Sequence, residues 1–308
     1  KAARRYAEIA PGSAHALHMP SHIFTDLGFW QESIQSNIAS ARAAQQATTS
    51  GEYNASGHQL HAMTFLEYAY LESGQDDAAR HVIQDLQKVP GTKGNQIADE
   101  QADFSVEYAT ETHNWKRAEN LTFAPGLYPV EKEQIDLARA IGAARSGNVT
   151  AARADIKNLI REQAAMAKGK SSPSAMKSES MDQLMAESWL AWAEGSGDQA
   201  LAKMEAAVKM EDDEAWKDGD AAVQIPPREM LADLLLELQQ PQKALTQYEA
   251  VLKLSPNRFD SVYGAARAAQ AAGDVATAHQ YFTELTKICG PHADRPELQQ
   301  AREYLAEK

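Results

Sequence analysis

Residues 243–257, KALTQYEAVLKLSPN, carry a pattern that returns further along the chain. Ala244 and Ala278 are 34 positions apart, and so are Tyr248 and Phe282. The small alanine lets two helices approach closely, and the aromatic residue four positions later lies on the same helical face one turn on. A proline follows each copy. A fixed period of this length with helical patterning is typical of stacked helical hairpins.

The same spacing recurs upstream, where a turn residue is followed by a small residue five positions later and a bulkier residue four positions after that. Glycine suits the turn because it adopts the positive φ that ends the first helix. The turns predicted in this way are Gly28, Gly74, His113, Gly147, Gly195, Gln239 and Gly273. The sequence therefore predicts seven helical hairpins, and most of them carry longer loops because only two of the intervals equal 34 residues.

Residues 243–257 resemble the second helix and terminal proline of the tetratricopeptide repeat. The resemblance implies an all-α, right-handed superhelix of about seven antiparallel helix pairs. Residues 4–37, RRYAEIAPGSAHALHMPSHIFTDLGFWQESIQSN, and 227–238, PREMLADLLLEL, are similar to bacterial tetratricopeptide-repeat proteins that share the segment HMPSHIF. That group has no settled activity, and its members have further repeats before this point. Since the chain opens KAARRYAEIAPGS without a methionine, we expect it to be the C-terminal part of a longer protein.

We predict a single continuous solenoid domain. Residues 168–179 are rich in Lys and Ser and are predicted to be a surface loop. Residues 212–227 end in a proline pair and are predicted to be a second surface connector. Such a stack is expected to have a concave surface but no single deep pocket. Within the domain at 1–308, the predicted parts are degenerate repeats at 14–222, the best-formed repeats at 225–291 and a capping helix at 294–308.

The composition is that of a folded chain with an acidic balance. Of the 308 residues, 44% are hydrophobic, and 43 Asp+Glu against 30 Lys+Arg give a net charge of -13. This balance argues against nucleic acid or an anionic membrane surface as the partner. The apolar runs fall short of the roughly 18–20 residues that a membrane helix needs. Cys289 stands alone, which excludes an internal disulfide. We expect a soluble protein of the bacterial cytoplasm or periplasm.

The sequence lacks the motifs of common enzyme classes. It contains no GxSxG, no GxxxxGK[ST] and no GxGxxG between a strand and a helix. Spacing alone assembles no set of nucleophile, base and orienting group. We therefore predict a non-enzymatic scaffold without a cofactor, which binds a peptide or partner-protein segment, a basic segment being one candidate. A third hypothesis is that the chain only supports neighbouring repeats and binds nothing itself.

Counting each turn residue as position 15 places polar side chains at positions 2, 5 and 9 of the first helices, on one face. In the tetratricopeptide family that face lines the concave groove that receives ligands. Trp189 and Trp192 are expected to form an aromatic platform there. The residues that we predict to bind the ligand are His15, His18, His22, His61, Tyr68, Glu100, Asp103, Glu107, Trp189, Trp192, Asp233, Tyr263 and Arg267.

Histidines are concentrated in the first two hairpins, and three roles are open for them. Imidazoles and carboxylates at this spacing can hold a divalent transition metal such as zinc, in a metal-binding protein or a metal-dependent enzyme. They can instead contact a polar peptide, or hydrogen-bond across the helix packing and bind nothing. Pro20 is expected to kink or start the helix between His18 and His22, which weakens the metal hypothesis. The histidines concerned are His15, His18, His22, His58 and His61.

Overall fold

The computed structural model describes residue 5 and residues 10–168, 173–214, 226–290 and 292–307, with the backbone alone for 173–179 and 213–214. Within these ranges the chain forms fifteen α-helices and no strand. Their bounds are α1 Ala14–Asp26, α2 Trp30–Ser50, α3 Ser56–Glu72, α4 Asp76–Asp85, α5 Gln96–Glu111, α6 Trp115–Glu119, α7 Pro129–Arg145, α8 Val149–Ala167, α9 Pro173–Ala193, α10 Gly197–Glu214, α11 Pro227–Glu237, α12 Pro241–Leu254, α13 Phe259–Ala271, α14 Val275–Ile288 and α15 Pro296–Glu307.

Local chemistry sets many of the helix starts. Four of the described helices begin at a side chain that accepts a hydrogen bond from the backbone N–H three residues on. These caps are Ser13 of α1, Asn114 of α6, Asn148 of α8 and Asp274 of α14. Proline occupies the first turn of other helices, where its missing N–H is not needed. The helices that begin in this way include α7, α11 and α12.

The helices pair into the seven predicted hairpins, from α1–α2 to α13–α14, and α15 follows as the capping helix. All seven predicted turn residues have a positive φ, including the non-glycine residues His113 at 48° and Gln239 at 58°. The small residue five positions after each turn is fully buried between helices. These residues are Ser33, Ala79, Ala118, Ala152, Ala200, Ala244 and Ala278. The prediction of an all-α solenoid of about seven helix pairs is confirmed.

The predicted loop at residues 168–179 is wrong from Pro173 onwards. Helix α9 begins at that proline, whose fixed φ suits the first helical turn. Ser174, Lys177 and Ser178 of the predicted loop occupy the first two turns of this helix, and residues 169–172 lie outside the described residues. Of the second predicted connector, α10 occupies the start and α11 the end, while residues 215–225 lie outside the described residues.

The seventh hairpin returns to the first. The indole N–H of Trp30 donates to the backbone carbonyl of Asn257 at 2.8 Å, and the Asn257 side-chain amide donates to the carbonyl of Gly28 at 3.2 Å. These partners are more than 220 residues apart in sequence. The stack therefore closes upon itself, with the first hairpin in contact with the segment that leads into the seventh.

The segment before α15 strengthens this closure. The Asp294 carboxylate accepts hydrogen bonds from the backbone N–H groups of Asp76 at 2.8 Å and Asp77 at 3.2 Å, at the start of α4. A carboxylate in that place satisfies helix N–H groups that lack an intrahelical partner. The backbone N–H groups of Asp294 and Arg295 both donate to the carbonyl of Gly74. The chain after α14 is thus fixed to the second hairpin.

The third and fourth hairpins pack closely at Gly142 in α7. A Cβ there would lie 2.6 Å from the backbone N of Glu119 and 2.6 Å from the backbone O of Trp115. We expect Gly142→Ala to lower the free energy of unfolding by about 1–3 kcal/mol, although alanine normally favours a helix interior by up to about 1 kcal/mol. Urea unfolding measures the change. Gly57→Ala in α3 is the control, since no atom lies within 4 Å of its Cβ position; equal effects at both sites would contradict the close approach.

Candidate functional site

The first helices of the hairpins face the interior, and the structure divides the predicted site residues among separate groups. The histidine cluster is His18, His22 and His61, from α1 and α3. Two cavities follow along the same face. The acidic cavity has a volume of about 390 Å³ and the polar cavity of about 480 Å³. The expectation that the stack has no deep pocket is not met at these two cavities, which lie between neighbouring hairpins.

In the histidine cluster, ring nitrogens of the three imidazoles lie within 4.8 Å of one another. The Nε2 atoms of His18 and His22 are 3.0 Å apart. On the far side of the His18 ring, Nδ1 lies 2.7 Å from Asn37 Oδ1 in α2. An amide oxygen only accepts, so Nδ1 of His18 carries the proton and Nε2 is left with a lone pair. His15 and His58 form a separate pair, with ring centroids 5.8 Å apart.

Pro20 does not separate His18 from His22. Helix α1 runs without a break from Ala14 to Asp26 with Pro20 inside it. The expected start of the helix at the proline is therefore wrong, and the two histidines lie one turn apart on the same face. Burial lowers the pKa of His18 to about 4, with the hydrogen bond to Asn37 acting in the opposite direction. At neutral pH its ring is uncharged.

The acidic cavity brings together Glu100, Asp103 and Glu107, the three acids that the position count placed on one face of α5. Helices α3, α7, α9 and α11 supply the other walls, mostly at positions 2, 5 and 9 of their hairpins. The acids share the space with apolar side chains, because several of these groove positions carry apolar residues. These apolar residues include Leu137, Ile141 and Met185.

Glu107 is the least compensated acid of this cavity. It is 2% exposed, and both of its carboxyl oxygens lack a hydrogen bond of good geometry within the described residues. The same is true of Glu67, whose carboxyl interacts with that of Glu107. Burial, and then the neighbouring carboxyl, raises the pKa of Glu107 well above its ordinary range. Burial, and then Glu100, raises the pKa of Asp103 to about 7.

A buried guanidinium, Arg258, lies between the N-terminal and C-terminal hairpins. Its Nε and Nη2 donate to the two oxygens of Glu229, both at 2.9 Å. Nη1 donates to the Tyr68 hydroxyl at 2.9 Å and to Glu72 at 3.0 Å, and Nη2 also donates to Glu111 at 2.8 Å. These five residues are the arginine network. Tyr68, predicted to bind a ligand, is instead 7% exposed and held by Arg258.

The polar cavity contains the other predicted residues, Asp233, Tyr263 and Arg267. Sequence reasoning missed His113 and Asp260 beside them. His113, used only as a turn marker, has its Nε2 3.7 Å from Asp233 Oδ2 and 3.6 Å from Asp260 Oδ2. Its positive φ turns the imidazole into the cavity instead of along a helix.

Trp189 and Trp192 do not form an exposed platform. Trp189 is fully buried, donates its indole N–H towards the sulfur of Met230 and packs edge-to-face on Trp192. The guanidinium of Arg145, which lines the polar cavity, lies 4.1 Å from the Trp189 ring centroid and 4.8 Å from that of Trp115. The prediction of a platform is wrong because Trp189 is fully buried. Trp115 and Trp189 instead hold the Arg145 guanidinium in place.

A signal for the arginine network was present in the repeat register. Glu72 and Glu111 each lie two residues before their turn, so they occupy the same place in the second and third hairpins. Glu229 takes position 5 of the sixth hairpin, a groove position. Nothing local pointed to Arg258 as their shared partner, because it is 147 residues from Glu111.

No protein-family model and no curated protein matches the chain. Among solved structures it is similar to a tetratricopeptide repeat protein from Parabacteroides merdae, with 14% identity over 95% of this chain and 97% of that chain and a TM-score of 0.47. It is also similar to yeast Tom70, with 10% identity over 99% of this chain and 84% of that chain and a TM-score of 0.35. Similarities at this level say nothing about function.

The chain's own seven hairpins, with their positive-φ turns and buried small residues, define a tetratricopeptide-like α-solenoid. Among its described helices, none combines the length and apolar character that a membrane span needs. The assignment of residues 1–308 to one domain, and the likeness to bacterial proteins with the HMPSHIF segment, stay predictions.

Proposed function

We propose that the chain is a non-enzymatic binding module that accepts a basic side chain of a partner-protein or peptide segment in the acidic cavity. The observation that carries this proposal is Glu107, a buried acid that faces the cavity and has no cationic partner among the described residues, since its carboxyl lies against that of Glu67. A buried carboxyl without a counter-ion is costly when it ionises, and a cation entering the cavity relieves that cost.

The charge of the interior supports a cationic ligand. The acidic cavity is lined by Glu100, Asp103, Glu107 and Asp182 and, among the described residues, by no lysine or arginine. The buried arginines Arg258 and Arg295 are engaged with carboxylates elsewhere. The acidic cavity therefore has an excess of negative charge, or of carboxyl groups that hold protons in its place.

The walls of the cavity fit a lysine or arginine side chain as a whole. Such a side chain has an apolar stem of several methylene groups and a charged head. The stem would lie along Leu137, Ile141 and Met185, while the head would reach Asp103 and Glu107. A cavity of about 390 Å³ is of the size that takes a small ligand or a single large side chain.

We expect a random-peptide display library selected against the chain to enrich peptides with Lys or Arg at one fixed position. The double variant Asp103→Asn/Glu107→Gln should bind these peptides at least about tenfold more weakly, because a hydrogen bond to a charged group is worth about 1.5–3 kcal/mol. The control Asp198→Asn/Glu205→Gln makes the same change of charge at exposed positions of α10 and should bind like the unaltered chain.

The affinity of the selected peptides should also depend on pH. Because the pKa of Asp103 is raised to about 7, this carboxyl is largely protonated at pH 6 and largely ionised at pH 8. A cation binds the ionised form, so calorimetry should show the affinity rising between these pH values. Three results would contradict the proposal: no enriched peptides, enriched peptides without basic residues, or equal loss of binding in the control.

A further inference from the structure

We infer that the histidine cluster, His18, His22 and His61, is a binding site for one divalent transition metal ion of the zinc class. The cluster lies on α1 and α3, outside the acidic cavity, and the inference does not rest on the proposed function. Each of these three histidines, all within the described residues, offers one ring nitrogen as a metal ligand, and the three nitrogens lie within 4.8 Å of one another.

The spacing of the nitrogens fits a single ion. Two nitrogens at about 2.0–2.1 Å from a tetrahedral zinc ion are roughly 3.3 Å apart. The Nε2 atoms of His18 and His22 share a hydrogen bond at 3.0 Å, close to that separation, and a bound ion would take the place of its proton. The His61 ring centroid is 4.5 Å from that of His18 and 5.9 Å from that of His22, so a rotation of this exposed side chain completes the set.

The surroundings of His18 are those of a metal ligand. Asn37 Oδ1 accepts from its Nδ1–H at 2.7 Å, and the Ser21 hydroxyl donates to the same amide oxygen. A bonded second nitrogen fixes the tautomer and the ring orientation of a ligating histidine. The Phe65 ring packs edge-on against His18 and His22, with centroids 4.9 and 4.7 Å away, and gives the cluster an apolar backing.

The donor set selects the class of ion. Three neutral imidazoles suit Zn²⁺, Co²⁺, Ni²⁺ or Cu²⁺, whereas Mg²⁺ and Ca²⁺ prefer oxygen ligands. His18 is buried while His61 is exposed, so the site opens to solvent on the His61 side. Three protein ligands with one open position leave room for a water molecule or for a ligand group from outside.

The test is a metal titration of the chelator-treated chain. We expect one equivalent of Zn²⁺ to bind in competition with a chromophoric chelator, Co²⁺ to give visible ligand-field absorption, and Mg²⁺ and Ca²⁺ not to compete. His22→Ala and His61→Ala should each weaken Zn²⁺ binding by at least about 100-fold, since loss of a ligand exceeds the loss of an outer partner. His81→Ala and His279→Ala, which remove exposed histidines elsewhere, should bind as the unaltered chain does.

A variant at Asn37 tests separately whether this residue positions His18 for metal binding. Asn37→Ala should weaken Zn²⁺ binding by about 10–100-fold with the stoichiometry unchanged. Circular dichroism checks that each variant is folded, and the exposed His61 keeps the test usable if Asn37→Ala is not. Binding that survives His61→Ala, or that is lost equally in His279→Ala, would overturn the site. Asp103→Asn/Glu107→Gln should bind Zn²⁺ normally, which separates this inference from the proposed function.

Discussion

Arg258→Met is expected to lower the free energy of unfolding by about 3–5 kcal/mol, the usual cost of removing one partner from a buried ion pair. Arg258 is 1% exposed and is bonded to three carboxylates that are themselves buried. Methionine fills a similar volume but cannot donate to any of them. The carboxyls of Glu72, Glu111 and Glu229 would then have to take up protons or draw in water.

Urea unfolding at pH 7 measures this change, with Arg161→Met as the control. Arg161 also pairs with a glutamate, Glu162, but its side chain is 67% exposed, so its replacement should cost no more than about 1 kcal/mol. The loss of stability in Arg258→Lys should lie between those of Arg258→Met and Arg161→Met. An ammonium group keeps the charge but lacks the planar fork of a guanidinium, which serves two carboxylates at once. Equal losses in Arg258→Met and Arg161→Met would show that the arginine network does not hold the closed stack together.

The role of Arg258 also marks the limit of prediction from the sequence. The hairpins could be predicted because their signal is local: a turn residue, a small residue five positions on, and apolar positions at helical spacing. The prediction held even at His113 and Gln239, which adopt the positive φ without being glycine. Closure of the stack could not be predicted, since it depends on pairs such as Trp30 with Asn257, more than 220 residues apart.

Predictions for the candidate site likewise succeeded where the signal is local and failed where it depends on distant parts of the chain. The position count placed Glu100, Asp103 and Glu107 on one face of α5, and the structure finds them in one cavity. The count failed for Trp189, because a helical register tells which face a side chain occupies but not which neighbouring helix covers it. It also gave no sign that Glu67, one position away from the groove series, would lie against Glu107.

Glu67→Gln is expected to stabilise the chain at pH 8 and to leave it nearly unchanged at pH 4. Burial raises the pKa values of Glu67 and Glu107 well above the ordinary 4.5 of a glutamate. Between 4.5 and these raised values, the folded chain holds protons that the unfolded chain has released. Stability therefore falls as the pH rises through this window, by about 1.4 kcal/mol per pH unit for each carboxyl.

Urea unfolding of both chains between pH 4 and pH 8 measures the slope. Glu67→Gln removes one of the two carboxyls and also relieves Glu107 of a like-charged neighbour, so the slope should decrease and the gain at pH 8 should be at least about 1.4 kcal/mol. Glu205→Gln, at an exposed position of α10, is the control and should follow the unaltered chain at every pH. If the free energies of unfolding of Glu67→Gln and of the unaltered chain follow parallel curves with pH, Glu67 and Glu107 do not hold protons as a buried pair.

The direction of this effect bears on the proposed function. A pair of acids that destabilises the folded chain at neutral pH is typical of a site where binding outweighs stability. A cation bound at Glu107 would favour the ionised carboxyl and lower its pKa, so binding at pH 7 should release protons. Calorimetry of a selected basic peptide in buffers of different ionisation enthalpy detects that release. Glu107→Gln should reduce the release to the share that Asp103 supplies, whereas the exposed control Glu205→Gln should keep it in full.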